Sequence, residues 1–292
     1  MGALDGRVAI ITGAGRGIGR EHALMFAAEG AKVVVNDLGA ANDGTGADIS
    51  PAQQVVDEIA AMGGEAIVNG ENVADWQGAQ RMINAAIETF GDLDILVNNA
   101  GILRDRVLVN MTEEEWDVVI AVHLKGHFAP TRWAAAYWRE QYKSGVTKPR
   151  NIVHTSSTSG LFANPGQSNY GAAKTGIATF SQIVAKELVR YNVKSNTIAP
   201  GARTRLTLAT PGLEDIMMPK GDSFDQWDPA NISPLVAYLA SEGCAFTGET
   251  FLVQGGNVTM IESWARGQGI DHDAKWSVAE LTEALAPLAR PT

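Results

Sequence analysis

Tyr170 and Lys174 lie four residues apart, and Ser157 stands thirteen residues before Tyr170 in the run SSTSGLFANPGQSNYGAAK. Of the five tyrosines, Tyr170 alone has a lysine at that spacing. In a helix, residues four apart share a face, so the Lys174 ammonium is expected beside the Tyr170 phenol. A neighbouring positive charge favours phenolate and draws a pKa of about 10 toward neutrality, as a general acid/base requires. A serine hydroxyl in reach of the same point can hold a substrate oxygen while the phenol exchanges a proton with it. The pair alone is weak evidence, since many exposed helix faces carry such a spacing. The surrounding elements must supply the rest.

The run VAIIT (Val8 to Thr12) leads into Thr12-Gly13-Ala14-Gly15-Arg16-Gly17-Ile18-Gly19 and then the helical EHALMFAAEG. A glycine loop between strand and helix lets backbone N–H groups approach a pyrophosphate, which the positive helix end also favours. The pattern is Thr-Gly-x-x-x-Gly-x-Gly on Gly13, Gly17 and Gly19, not the commoner Gly-x-Gly-x-x-Gly. Asp37 closes the second apolar run, KVVVND, where a carboxylate accepts from ribose hydroxyls and repels a 2′-phosphate. That predicts NAD over NADP. Arg16 argues the other way, because a guanidinium there holds such a phosphate. Asp37 is given more weight, since charge repulsion in a confined site is hard to relieve. The fourth run ends Asn98-Asn99-Ala100-Gly101, with side-chain amides where a parallel strand meets the ligand crevice. Asp37 also reads as a strand-end cap, and the asparagines as a turn.

Seven apolar runs alternate with helical stretches, the others being AIVN (Ala66 to Asn69), NIVHT (Asn151 to Thr155), VKSNTI (Val193 to Ile198) and TFLV (Thr250 to Val253). They predict a Rossmann-type, doubly wound, seven-stranded parallel sheet with helices on both faces, in one domain over residues 1–256. Ser50-Pro51-x-Gln53 and Thr112-x-x-Glu115 read as capping boxes, and Glu113 and Glu114 as charges serving a helix start. Gly39 to Ser50 is a polar, glycine-bearing loop long enough to border a ligand. After Asn257 the strand pattern stops, and Ser277-x-x-Glu280 opens an amphipathic helix within an extension over 257–292. That extension is expected to pack on its own or a neighbouring subunit.

The 292 residues, 45% hydrophobic, carry 23 Lys+Arg against 33 Asp+Glu, a net charge of −10. With no basic cluster, nucleic acid is not an expected partner. The single cysteine, Cys244, allows no internal disulfide and reads as a buried thiol in a reducing compartment. Neither a signal peptide nor a membrane-spanning run is evident, so a cytoplasmic protein without membrane contact is expected. His123 and His127 are four apart, but no HExxH or third ligand accompanies them, and no metal is expected.

Together these motifs resemble the short-chain dehydrogenase/reductase family over about residues 6–256: the glycine loop, Asn98-Asn99-Ala100-Gly101, Ser157, Tyr170-x-x-x-Lys174 and Pro200-Gly201 match in order and spacing. The resemblance implies that Ser157 orients substrate, Tyr170 is the acid/base, and Lys174 binds the nicotinamide ribose. It assigns Gly13, Arg16, Gly17, Ile18, Gly19, Asp37, Asn72, Val73, Asn99, Ala100, Gly101, Pro200, Gly201 and Thr204 to the cofactor, with Tyr170 and Lys174. It also implies homodimers or homotetramers through helices carrying Thr112 to Lys143 and Ser168 to Tyr191. One departure is His123, in Val122-His123-Leu124, where the family commonly has a catalytic asparagine in a proton relay. Imidazole can donate, accept and titrate near neutrality, so His123 joins the candidate catalytic residues; it reads equally as a packed histidine.

Within the family, VVVNDLG, NNAGILRDR, EEEWDVVIAVHLKGHF and SNTIAPGARTRLT are similar to the (3R)-hydroxyacyl-CoA dehydrogenase modules of peroxisomal multifunctional β-oxidation enzymes. This implies NAD-dependent oxidation of a secondary alcohol, with an acyl-CoA or another hydroxy or keto compound as partner. Arg104, Arg106, Arg203 and Arg205 are candidates to meet substrate phosphates. A 3-oxoacyl thioester reductase, a steroid or other alcohol dehydrogenase, and a non-catalytic nucleotide sensor are the competing readings.

Overall fold

The structure is a computed structural model and describes residues 2–208, 214–219 and 224–289. Eight strands are found among them: β1 (Val8–Thr12), β2 (Lys32–Asn36), β3 (Glu65–Asn69), β4 (Ile95–Asn98), β5 (Arg150–Thr155), β6 (Val193–Gly201), β7 (Thr250–Gln254) and β8 (Asn257–Ile261). They form one sheet in the order β3-β2-β1-β4-β5-β6-β7-β8, parallel throughout except for β8. The chain direction across the sheet reverses between β1 and β4, so a ligand crevice is expected at their carboxyl ends.

β8 corrects the expectation that strands end at Val253. Gln254-Gly255-Gly256-Asn257 is a two-residue hairpin, with Gly255 at φ 53°, a conformation glycine adopts without a Cβ clash. Asn257–Ile261 then pairs antiparallel with β7.

The helices are α1 (Gly17–Ala28), α2 (Ser50–Ala61), α3 (Trp76–Phe90), α4 (Glu113–Ile120), α5 (Gly126–Lys143), α6 (Thr158–Phe162), α7 (Ser168–Leu188), α8 (Arg205–Leu208), α9 (Glu214–Met217), α10 (Ser233–Ala240) and α11 (Val278–Leu285). Alternation along each strand feeds two cores. In β1, Ala9 and Ile11 join Phe26, Val33, Val55, Ile59 and Val236 on the face covered by α1, α2 and α10. Val8 and Ile10 join Val34, Met82, Leu96, Trp138, Ile152 and Val184 on the face covered by α3, α5 and α7.

The Thr112–Glu115 capping box forms as read, the Thr112 hydroxyl accepting from Glu115 N at 3.2 Å. The one expected at Ser50 does not. Ser50 is already helical, Asp48 Oδ1 accepts its N–H at 2.9 Å, and the Gln53 amide turns to Asp57. Between α4 and α5, Ala121–Lys125 forms a wide helical turn of the π type that holds His123. Such turns are frequent at functional sites.

At the amino ends of the strands, Arg150 is buried and meets Asp92 at 2.8 Å and Asp94 at 2.6 Å. Asp94 Oδ2 also accepts from Val8 N at 2.9 Å, and Arg7 Nη1 donates to Asn151 Oδ1 at 3.0 Å, joining β1, β4 and β5.

The chain divides into two compact units, Met1–Ile261 and Glu262–Thr292. The first runs past residue 256 because β8 belongs to the sheet. In the second, Ser277 and Glu280 form the expected reciprocal cap at the start of α11.

Candidate active site

The carboxyl ends of β1 and β4 are knotted by Thr12. Its Oγ1 accepts from Asn99 N at 2.9 Å and Ala100 N at 3.1 Å. The Asn99 amide returns two bonds, to Thr12 O at 3.0 Å and Gly13 O at 3.2 Å. Its side chain is therefore part of the glycine loop's frame. Gly13 has φ 65°, and a Cβ there would lie 2.8 Å from Ala100 Cα, so no larger residue fits. A Cβ on Gly19 would run into Gly13 O, which makes Gly19 a packing residue beneath the loop. α1 opens at Gly17 with no side-chain cap, leaving the N–H groups of its first turn to an anion.

Asp37, just past β2, accepts from Gly15 N at 2.7 Å through Oδ2 and from Gly39 N at 2.6 Å through Oδ1. The carboxylate thus caps the loop, as one reading had it, and it also lines the cavity. Gly15, not singled out in the sequence, is required here: a Cβ would come within 2.9 Å of Asp37 Oδ2.

Ser157 caps α6, its Oγ accepting from Ser159 N at 3.2 Å, and it lines the same cavity as Tyr170. Tyr170 and Lys174 stand on the first turns of α7. Asn169 anchors that helix end: its amide donates to Arg104 O at 3.0 Å and Glu115 O at 2.9 Å, and its Oδ1 accepts from Tyr170 N at 2.7 Å. Lys174 is buried, donates to Thr155 O at 2.7 Å, and lies 5.4 Å from the centre of the Tyr170 ring.

The charge state of the pair corrects the sequence reading. Burial pushes Tyr170 up to about 12; the Ser157 hydroxyl opposes this and Asp105 adds to it. Burial also pulls Lys174 down to about 7. The ammonium sits over the ring and is spent on a carbonyl, so desolvation dominates the phenol.

His123 is buried, its ring set edge-on to Tyr170 at 5.0 Å between centres. Its Nε2 lies 2.8 Å from Ile102 O and 3.1 Å from Ile102 N, while Nδ1 has no partner. A Cβ on Gly101 would meet the imidazole Cε1 at 2.5 Å, so glycine there is what admits the histidine. Burial first, then Lys174, holds its pKa well below the usual value, so the ring is neutral at pH 7. His127 points elsewhere, its Nε2 lying 3.0 Å from Asn98 O.

A cavity of about 590 Å³ runs from Asp37, Asn72 and Val73 at one end to Ser157, Tyr170 and Lys174 at the other. Gly13, Arg16, Gly17, Ile18, Asn99, Ala100, Gly101, His123, Pro200, Gly201 and Thr204 line it between, so every residue assigned to catalysis or to the cofactor except Gly19 borders it, whereas Arg104, Arg106 and Arg203 do not. Asn42, Thr155, Gln167, Met217 and Trp227 also line it and were not assigned from sequence. Thr155 acts through its backbone carbonyl, which residue type does not advertise. The elongated cavity, uncapped α1 and close-fitting glycines fit a dinucleotide. Of the four arginines, Arg106 is paired with Glu115 at 3.1 Å and Arg203 with Asp225 at 2.6 Å, while Arg205 borders the cavity on its nucleotide side.

The chain is similar to known proteins along nearly its whole length. A crystal structure of a short-chain dehydrogenase from Mycobacterium avium superposes with a TM-score of 0.88 at 52% identity, covering 99% of this chain and 98% of that one. Hydroxyacyl-CoA dehydrogenase ChsB1 of Mycobacterium tuberculosis is 42% identical over 97% of this chain and 88% of its own. Peroxisomal multifunctional enzyme type 2 of Drosophila melanogaster is 46% identical over 91% of this chain, which spans 41% of that longer protein. The short chain dehydrogenase family matches residues 7–209, and with the glycine loop, Ser157, Tyr170 and Lys174 gathered on one cavity, the chain belongs to that family of NAD(P)-dependent oxidoreductases acting on CH–OH donors.

Proposed function

We propose that this chain oxidises a (3R)-3-hydroxyacyl-CoA to the 3-oxoacyl-CoA with NAD. The observation that carries the chemistry is the meeting of Ser157, Tyr170 and Lys174 at one end of a cavity whose other end holds Asp37. Similarity to a hydroxyacyl-CoA dehydrogenase and to the multifunctional enzyme supports the acyl-CoA; Asp37 supports NAD.

In this mechanism the Ser157 hydroxyl holds the substrate oxygen and Tyr170, as phenolate, takes the hydroxyl proton. A nicotinamide held by the glycine loop and Lys174 would supply the acceptor for the hydride of the carbinol carbon, which balances the reaction as alcohol and NAD giving ketone, NADH and one proton. Lys174 is fixed by Thr155 O beside the phenol, where it can hold the nicotinamide ribose. Neutral His123 packs against the Tyr170 ring and Ile102, fixing both. Positioning of this kind supplies much of the rate.

The test follows reduced-nicotinamide absorbance with a panel of (3R)- and (3S)-hydroxyacyl-CoA esters, steroid-derived ones included, each offered with NAD and NADP. Turnover of the (3R) esters with NAD is expected. Activity confined to simple alcohols overturns the acyl-CoA assignment, and a strong preference for NADP overturns the Asp37 argument.

A further inference from the structure

The polar excursion after β2 does not hang free. Leu103 N donates to Asn42 O at 2.9 Å, Arg104 Nε to Asp43 O at 2.8 Å, and Asn42 Nδ2 to Arg205 O at 3.2 Å. These contacts lie beyond β4 and β6, so the excursion crosses the carboxyl ends of β1 and β4, above the crevice. It ties itself to the segment that opens α8. That segment also sits over the glycine loop, because a Cβ on Gly17 would lie 3.5 Å from Thr204 Cγ2.

This strap brings two guanidiniums to one wall. Arg104, Arg106 and Arg203 are each engaged by an acidic residue, whereas Arg16 and Arg205 have no ion pair among the described residues, and both line the cavity. Burial of its inner atoms and the nearby Arg16 lower the Arg205 pKa, and Asp37 opposes them. Two like charges near each other, with the Asp37 oxygens occupied by backbone N–H groups, form a site for an anion. The uncapped turn of α1 beneath Thr204 points to the same place.

We propose that Arg205 and Arg16 close on the pyrophosphate of the bound dinucleotide from the strap side and the loop side, with Asn42 as the latch that keeps Arg205 in position. The pyrophosphate is favoured over an adenosine 2′-phosphate because the Asp37 carboxylate would face the latter. The inference rests on dinucleotide binding by the family, not on the acyl substrate.

Nicotinamide fluorescence titrations test it. Arg205→Ala should raise the Kd for NADH and for NADPH by the same factor, about tenfold or more for a lost charge-assisted bond, with Arg205→Lys recovering part. Asn42→Ala should speed NADH dissociation in stopped flow while leaving the unfolding temperature of the free protein unchanged. An unchanged Kd in Arg205→Ala, in a protein whose parent binds NADH, overturns the clamp. So does a loss confined to NADPH, which would make Arg205 a reader of the 2′-phosphate. Failure of the parent to bind either nucleotide would instead overturn the dinucleotide reading of the cavity.

Discussion

Desolvation acts on Tyr170 and Lys174 in opposite directions and moves their pKa values apart, to about 12 and about 7. Alcohol oxidation needs the phenol without its proton, so kcat/KM should rise with pH across the window these values bracket. Initial rates from pH 6 to 10 check this; a flat profile with chemistry limiting would remove Tyr170 as the base. Tyr170→Phe should lower kcat/KM by about 10²- to 10⁴-fold and leave the NADH Kd within about twofold. His123 is the residue whose part sequence reading could least define. Its partners are the Ile102 backbone and the face of a tyrosine 47 positions away, and neither follows from its neighbours Val122 and Leu124.

At the scale of elements, Arg150 tests how β4 and β5 are joined. Its guanidinium is buried against Asp92 and Asp94, and removing it leaves the two carboxylates to the more exposed Lys148 ammonium, 2.7 Å from each. Arg150→Ala should therefore cost about 2–4 kcal/mol in urea unfolding; a loss under about 1 kcal/mol would show that Lys148 and water suffice for the two carboxylates. Seven of the eight strands were legible because each is a short β-branched run between helical patterns. β8 was not, since the half-exposed Val258 and Met260 carry little apolar signal and the Gly255-Gly256 hairpin resembles a loop. The Ser50 cap failed for a local reason: Asp48, two residues earlier, reaches the helix start first.

For the molecule as a whole, four histidines are buried: His22, His123, His127 and His154. Burial lowers all four, His22 and His154 to about 3. A folded pKa below the unfolded value of about 6.5 means that the unfolded chain binds more protons in between. Stability should hold above pH 6.5 and fall progressively toward pH 3. Urea midpoints at pH 7.5 and pH 5 measure this, and equal midpoints would mean that these rings find compensating partners when charged. The candidate site was largely readable because its motifs are local and chemically specific. What escaped was supplied across the fold: Asn42 and Arg205 are 163 positions apart, and Thr155 takes part through its carbonyl.

The sheet keeps its ionic cluster and its chemistry at opposite ends of the same strands. β4 and β5 run four and six residues from Asp94 and Arg150 toward Asn99 and Ser156, roughly 13–20 Å at about 3.3 Å per residue. Thermostability and catalysis are thus separable for an engineer. Substitutions around Arg7, Asp92 and Arg150 can be screened on melting alone, while the Ser157–Tyr170 end is varied for new alcohols against an unaltered scaffold.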